Sequence, residues 1–165
     1  MSELRTNRII PRDGLVSGAS GGVIQVVHFA LATGSTVTVN SSTFVDVLTA
    51  SITPTRSDSK ILVQVTSAPK TNGSSSNFQF GAQIQRNSTT IMYDNEYLQM
   101  NNGYAPNAFT GAYTVLDSPA STSALTYKFR CSRSVSGREL YFENSTDNTG
   151  NYYNKHTMTL MEISG

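Results

Sequence analysis

Four stretches of this chain alternate apolar and polar residues with a period of two, and no run of ten residues offers an apolar stripe at helical spacing. Lys60–Thr66 sets Ile61, Val63 and Val65 against Leu62, Gln64 and Thr66. Phe78–Gln85 sets Phe78, Phe80, Ala82 and Ile84 against Gln79, Gly81, Gln83 and Gln85. Leu125–Cys131 turns Leu125, Tyr127, Phe129 and Cys131 inward and Thr126, Lys128 and Arg130 outward, and Arg138–Glu143 puts Leu140 and Phe142 on one face. Such spacing builds half-buried strands with one dry and one wet side. The composition agrees. Charged residues are 14% of the chain, and Ser, Thr and Asn fill a third of it, a balance that disfavours helix and suits strands and turns.

Further strands are expected at Val23–Ala30, Thr36–Val39, Thr43–Thr53 (ended by Pro54) and Thr157–Ile163, with shorter ones at Thr89–Tyr93 and Ala112–Leu116. Ala68–Asn77, Asn101–Ala108 and Ser145–Lys155 are rich in Gly, Asn and Ser and read as loops. Eight to ten short antiparallel strands in 165 residues predict one all-β domain, an antiparallel β-sandwich of jelly-roll type. Residues 1–22 stand apart. They hold Arg5, Arg8 and Arg12, the pair Ile9 and Ile10, Pro11 and a Gly/Ser-rich end, with neither period. They read as an extended N-terminal arm and linker, on the order of 70 Å long when stretched, ahead of a sandwich over residues 23–165. There is no internal repeat and no sign of a second domain.

A net charge of +1 leaves no electrostatic footprint for nucleic acid. No apolar run approaches the ~20 residues of a membrane span, and Met1–Asp13 lacks the apolar core of a signal peptide. Neither nucleic acid nor membrane insertion is therefore expected. Cys131 is the single cysteine, and on an inward position it reads as an inert packing residue.

The catalytic patterns are thin. Gly18-Ala19-Ser20-Gly21-Gly22 matches G-x-S-x-G, but a strand follows it where a nucleophile elbow needs a helix. His28 and His156 lie far apart in sequence without a third ligand, and read as polar residues at strand edges. Asp94 and Glu96 flank Asn95 in a Tyr-rich segment and are the one carboxylate pair a sugar-cleaving site could use. Asp147-Asn148-Thr149-Gly150-Asn151 has too few carboxylates for a calcium loop. The N-x-S/T triplets at Asn40, Asn72, Asn87 and Asn144 are what this composition gives by chance. No catalytic residue, metal site or cofactor is assigned. Tyr93, Tyr97, Tyr104, Tyr152 and Tyr153 fall in or beside polar segments, and a tyrosine offers a flat apolar face and a hydroxyl suited to recognising another surface.

The opening Leu4-Arg5-Thr6-Asn7-Arg8-Ile9-Ile10-Pro11-Arg12-Asp13-Gly14, followed by Ser17–Val27, resembles the start of short tail-fibre and related appendage proteins of marine and cyanobacterial phages. Ser42-Thr43-Phe44-Val45-Asp46-Val47, Ser51-Ile52-Thr53-Pro54, Ser57–Val65 and the terminal Thr157–Ile163 are similar to the body of that group; the middle, Pro69–Asp117, is not. The resemblance implies a non-enzymatic virion structural protein, usually trimeric, whose arm fastens to other virion proteins of tail or capsid while the β-domain projects for host-surface adhesion or head decoration. Leu4, Arg5, Arg8, Ile9, Ile10 and Arg12 are then the anchoring residues. A partner on the host would be a surface glycan or protein. The alternative is a soluble carbohydrate-binding or carbohydrate-cleaving β-sandwich.

Overall fold

The computed structural model describes residues 22–71, 80–94, 110–133, 139–146, 152–153 and 156–165. They form thirteen strands in chain order: β1 (Val23–Ala30), β2 (Thr36–Val39), β3 (Val45–Ile52), β4 (Lys60–Ser67), β5 (Lys70–Thr71), β6 (Phe80–Arg86), β7 (Thr89–Asp94), β8 (Gly111–Asp117), β9 (Leu125–Arg133), β10 (Leu140–Glu143), β11 (Ser145–Thr146), β12 (Tyr152–Tyr153) and β13 (Thr157–Ile163). No helix occurs among the described residues.

Two four-stranded antiparallel sheets, ordered β1-β13-β4-β8 and β3-β9-β6-β7, enclose one apolar core. Consecutive long strands cross from one sheet to the other except at the β6–β7 hairpin. That order is the double Greek key of a jelly roll, so the all-β antiparallel sandwich expected from the pattern is what the chain forms. The inward phases are those read from the alternation. Ile61, Val63 and Val65 from β4 and Leu160 from β13 meet Ile84, Tyr127 and Phe129 from the other sheet, all buried. Tyr113 and Phe129 meet across the gap with centroids 5.4 Å apart and planes tilted by 39°.

The sandwich has two unlike ends. At one, the connections are short: 53–59, the two-residue turn at Asn87 and Ser88, and 118–124. Asn87 takes the left-handed conformation (φ 52) that asparagine tolerates better than most residues. Both ends of the described chain lie here, Ser164 N donating to Gly22 O at 2.9 Å. At the other end lie the strand ends joined by the longer connections 31–44, 68–79, 95–110 and 134–156. A third sheet, β2-β10-β5, closes that end, each strand taken from a different connection. It buries Val39, Leu140 and Phe142. Thus Ala68–Asn77 and Ser145–Lys155, read as loops, contain the two-residue strands β5, β11 and β12, too brief to leave a periodic trace.

Buried polar groups pin the short-connection end. Glu162 lies on the inward phase of β13 beyond Leu160, fully buried. Its Oε1 accepts from Thr55 N and Thr55 Oγ1, both at 2.8 Å, and its Oε2 from Gln25 Nε2 at 2.6 Å. Gln25 Nε2 also donates to Thr53 O at 2.7 Å. Burial works to raise the Glu162 pKa, but donation from Gln25 and Thr55 outweighs it and lowers the pKa to about 2. A second pin joins the sheets. Arg86 Nη1 reaches both oxygens of Asp117 at 2.7 and 2.8 Å, and the hydroxyl of buried Tyr127 donates to Asp117 Oδ2 at 2.7 Å. Burial, and then Asp117, push the Tyr127 phenol far up.

Glu162→Gln turns an amide NH2 toward the Gln25 amide, which is already committed to Thr53. The variant is expected to lose about 1–3 kcal/mol near neutral pH. The native carboxylate titrates lower than its unfolded value, so its stabilisation is present above about pH 4.5 and fades as pH falls toward 2. Urea unfolding should show the two proteins converging over that range, and a gap that persists at the acid end would contradict the assignment.

Candidate interaction surfaces

The outer face of the second sheet carries the most developed polar network. One register row crosses all four strands: Asp46 opposite Arg130, Arg130 opposite Gln83, Gln83 opposite Tyr93. Asp46 accepts from Arg130 Nε at 2.6 Å and Lys128 Nζ at 2.5 Å. Burial acts to raise the Asp46 pKa, but the hydrogen bonds and charges of Lys128 and Arg130 prevail and lower it. Arg130 Nη2 donates to Phe44 O at 2.9 Å, and its Nη1 lies 3.4 Å from Gln83 Oε1. Gln83 Nε2 donates to Thr90 Oγ1 at 2.6 Å. With each of these groups engaged, the face can bind by contact but holds no free base or nucleophile in the row.

Tyr93 stands at the end of this row, 54% exposed. Its ring meets Phe44 with centroids 5.7 Å apart and planes at 59°. Phe44 precedes β3 and lies over Gly81, where a Cβ would come within 3.2 Å of Phe44 Cζ and 3.0 Å of Ser132 Oγ. The missing side chain at Gly81 therefore lets the two aromatics meet. Of the five tyrosines expected at a recognition surface, Tyr93 is the one whose side chain is described. Tyr152 and Tyr153 pair through their backbones with Thr146 and Ser145. Tyr97 and Tyr104 lie outside the described residues, as do Leu4, Arg5, Arg8, Ile9, Ile10 and Arg12.

The structure separates the remaining candidates. Asp94 ends β7 opposite Ala82 and acts electrostatically on Tyr113, whose phenol is pushed up by burial first, then Cys131 and Asp94. Glu96 lies outside the described residues. Cys131 is buried, and burial drives its thiol pKa up, as befits a packing residue. His28 is an exposed strand residue with Nδ1 2.9 Å from Thr159 Oγ1. His156 corrects the expectation of an edge residue. It is fully buried against the Phe142 ring, centroids 5.3 Å apart. Its Nδ1 accepts from Ala68 N at 3.2 Å and its Nε2 donates to Glu143 O at 3.1 Å, while His156 O accepts from Leu31 N at 2.9 Å. His156 thus ties three long connections together, two through its neutral ring and the third through its backbone carbonyl. The sequence clue was its place one residue before the β13 phase, next to Met158 and Leu160. Among the described residues no three His, Cys, Asp or Glu side chains group to hold a metal ion.

No protein-family model matches the chain. No curated protein matches it either. Among solved structures, it is similar to the VP2 protein of infectious bursal disease virus in a subviral particle, at 12% identity and TM-score 0.41 over 94% of this chain and 44% of that one. A VP2 point mutant of the same virus, in derived T=1 particles, aligns at 13% identity and TM-score 0.42 over 98% of this chain and 41% of that one. The chain spans less than half the length of these proteins. The fold assignment rests on strand order and register.

Two measurements check this geometry. Gly81→Ala is expected to displace Phe44, lose about 1–2 kcal/mol to overpacking and change the Tyr93 ring resonances in NMR spectra; unchanged ring shifts would refute the contact. For His156, burial lowers the pKa against the opposing effect of Glu143, so the native site holds the neutral ring. Its stabilisation is complete above the unfolded value of about 6.5 and declines as pH falls below it. Urea midpoints should fall on acidification through that range, and His156→Gln, about 1–3 kcal/mol less stable at alkaline pH, should lack this part of the decline.

Proposed function

We propose that this chain is a non-enzymatic structural protein of a phage virion, a trimeric fibre or knob. In this reading residues 1–22 fasten it to other virion proteins on the tail or the head, and the sandwich of residues 23–165 projects outward. The observation that carries it is the polarity of the sandwich. Gly22, from which the arm would leave, is hydrogen-bonded to Ser164 at the short-connection end, and the strand ends bordering the longer, Tyr-containing connections lie at the other. A tether at one end leaves the opposite end free to meet another surface. The phage-appendage resemblance of the opening segment supports the same division.

Anchoring falls to Leu4, Arg5, Arg8, Ile9, Ile10 and Arg12, whose isoleucines would fill pockets and whose arginines would pair with carboxylates or carbonyls. Recognition of a host glycan or protein falls to Tyr93 and to Tyr97, Tyr104, Tyr152 and Tyr153. The exposed Tyr93 ring against half-buried Phe44, beside Gln83 and Arg130, also fits a second reading, a carbohydrate-binding module working without a particle.

Deletion of residues 2–16 is expected to give a folded, soluble protein that no longer joins the particle; normal incorporation of the truncated chain would overturn the arm's role. Tyr93→Ala should leave incorporation intact and weaken adsorption to host cells by about tenfold. Adsorption unchanged by that substitution would remove Tyr93 from the recognition surface.

A further inference from the structure

Five large apolar side chains are exposed among the described residues, and four of them, Val23, Ile24, Val26 and Leu116, belong to the first sheet. The register explains why they matter together. Val26 lies opposite Met161, Met161 opposite Leu62, and Leu62 opposite Leu116, so one apolar row crosses the whole outer face from edge to edge. The next row toward the chain ends sets Val23 opposite Ile163 and Ile163 opposite Lys60, with Ile24 in the bulge beside them. In the other direction the row is His28, Thr159, Gln64 and Thr114. The wet face of an antiparallel sheet has no need of such a row, and the corresponding face of the second sheet carries Asp46, Arg130 and Gln83 instead.

We infer that this outer face of β1-β13-β4-β8 is where copies of this chain pack against one another, the inference resting on the oligomer proposed above. Charge argues for a second copy as the occupant. Lys60, at the rim where β4 begins, is the only Lys, Arg, Asp or Glu among the described residues of the face; Glu162 and Asp117 point into the core. About a three-fold axis equivalent groups of the three copies converge, and a neutral surface there escapes the like-charge penalty. The whole face, four strands about 4.8 Å apart and seven residues long, has a footprint of about 440 Å², a little under the ~500 Å² per copy at the lower limit of a specific interface, so the contact uses most of the face. Position agrees as well. The apolar rows sit at the end where the chain enters, so copies joined there leave the opposite end and the second sheet's polar face open.

The test is sedimentation of the full-length protein over a concentration series. Wild type should reach a species near three times 17.9 kDa. V26K/L116K, at positions already exposed, should keep its circular dichroism and sediment as a monomer, with self-association weakened about 100-fold or more. V26T/L116T serves as a milder pair and should weaken it about tenfold. T49K, on the exposed face of the second sheet, should behave as wild type. A trimer that survives V26K/L116K overturns the face assignment while the trimer stands. A wild-type dimer abolished by V26K/L116K keeps the face and overturns the trimer. Wild type monomeric throughout overturns both, and points to residues 1–21 or another virion protein as what covers the face.

Discussion

A sandwich of two four-stranded sheets can hide the inner face of each sheet but not its own ends, where strands stop and backbone polar groups would meet the core. Here both ends are closed by buried polar side chains whose partners come from different strands and connections. At one end Glu162 gathers Thr55 and Gln25, and Asp117 gathers Arg86 and Tyr127. At the other His156 gathers the Ala68 amide and the Glu143 carbonyl, and Asn144 Nδ2 donates to Leu31 O at 2.5 Å. A buried donor or acceptor is costly unless matched. Each closure therefore admits one arrangement of the segments that meet there, which fixes how the strands are linked as firmly as the apolar core fixes how they pack.

The two closures are chemically different, and the difference follows the chain. The end where the described chain begins and finishes is held by carboxylates: Glu162 among converging neutral donors, Asp117 against Arg86 and Tyr127. The opposite end is held by a neutral imidazole and an amide under a small sheet, β2-β10-β5, assembled from three connections. Acid weakens the neutral closure first, as His156 gains a proton, and the Glu162 contacts later. The end bordered by long connections is thus the softer one under mild acidification, while the end at which the chain enters keeps its shape.

Much of this was legible in the sequence because alternation is a strong signal where one face is buried. Phe80, Ala82 and Ile84, and Leu125, Tyr127, Phe129 and Cys131, lie inward as their spacing required. The pins were less visible, although the same phase marks them: Glu162 continues Met158 and Leu160, Arg86 continues Ala82 and Ile84, and Asp117 continues Tyr113 and Val115. A charge on a core phase near a strand end signals a buried pair, but its partner is a matter of tertiary structure. His156 donates to a backbone carbonyl from β10 and accepts from an amide beside β5, and no local pattern relates those segments. The apolar outer row escaped for a similar reason. Leu62 looked like one apolar residue on a wet face, and it joins Val26, Met161 and Leu116 only once the register of three strand pairs is known.

That register makes the two outer faces unequal, and the inequality bears on what the molecule can do. On the second sheet Asp46, Lys128, Arg130 and Gln83 hold one another in a polar network, with Tyr93 at its margin. Polar groups already satisfied can exchange water for a partner at little cost and little gain, which suits reversible contact. On the first sheet the apolar row gains only by leaving water, at roughly 25 cal/mol for each Å² covered, and it covers best against a surface equally free of charge. In the oligomer proposed above, the first face would hold and the second would touch. Gly22 lies at the end where the apolar rows sit and the strand ends bordering the long connections lie at the other, so assembly and recognition, as proposed, would not compete for surface.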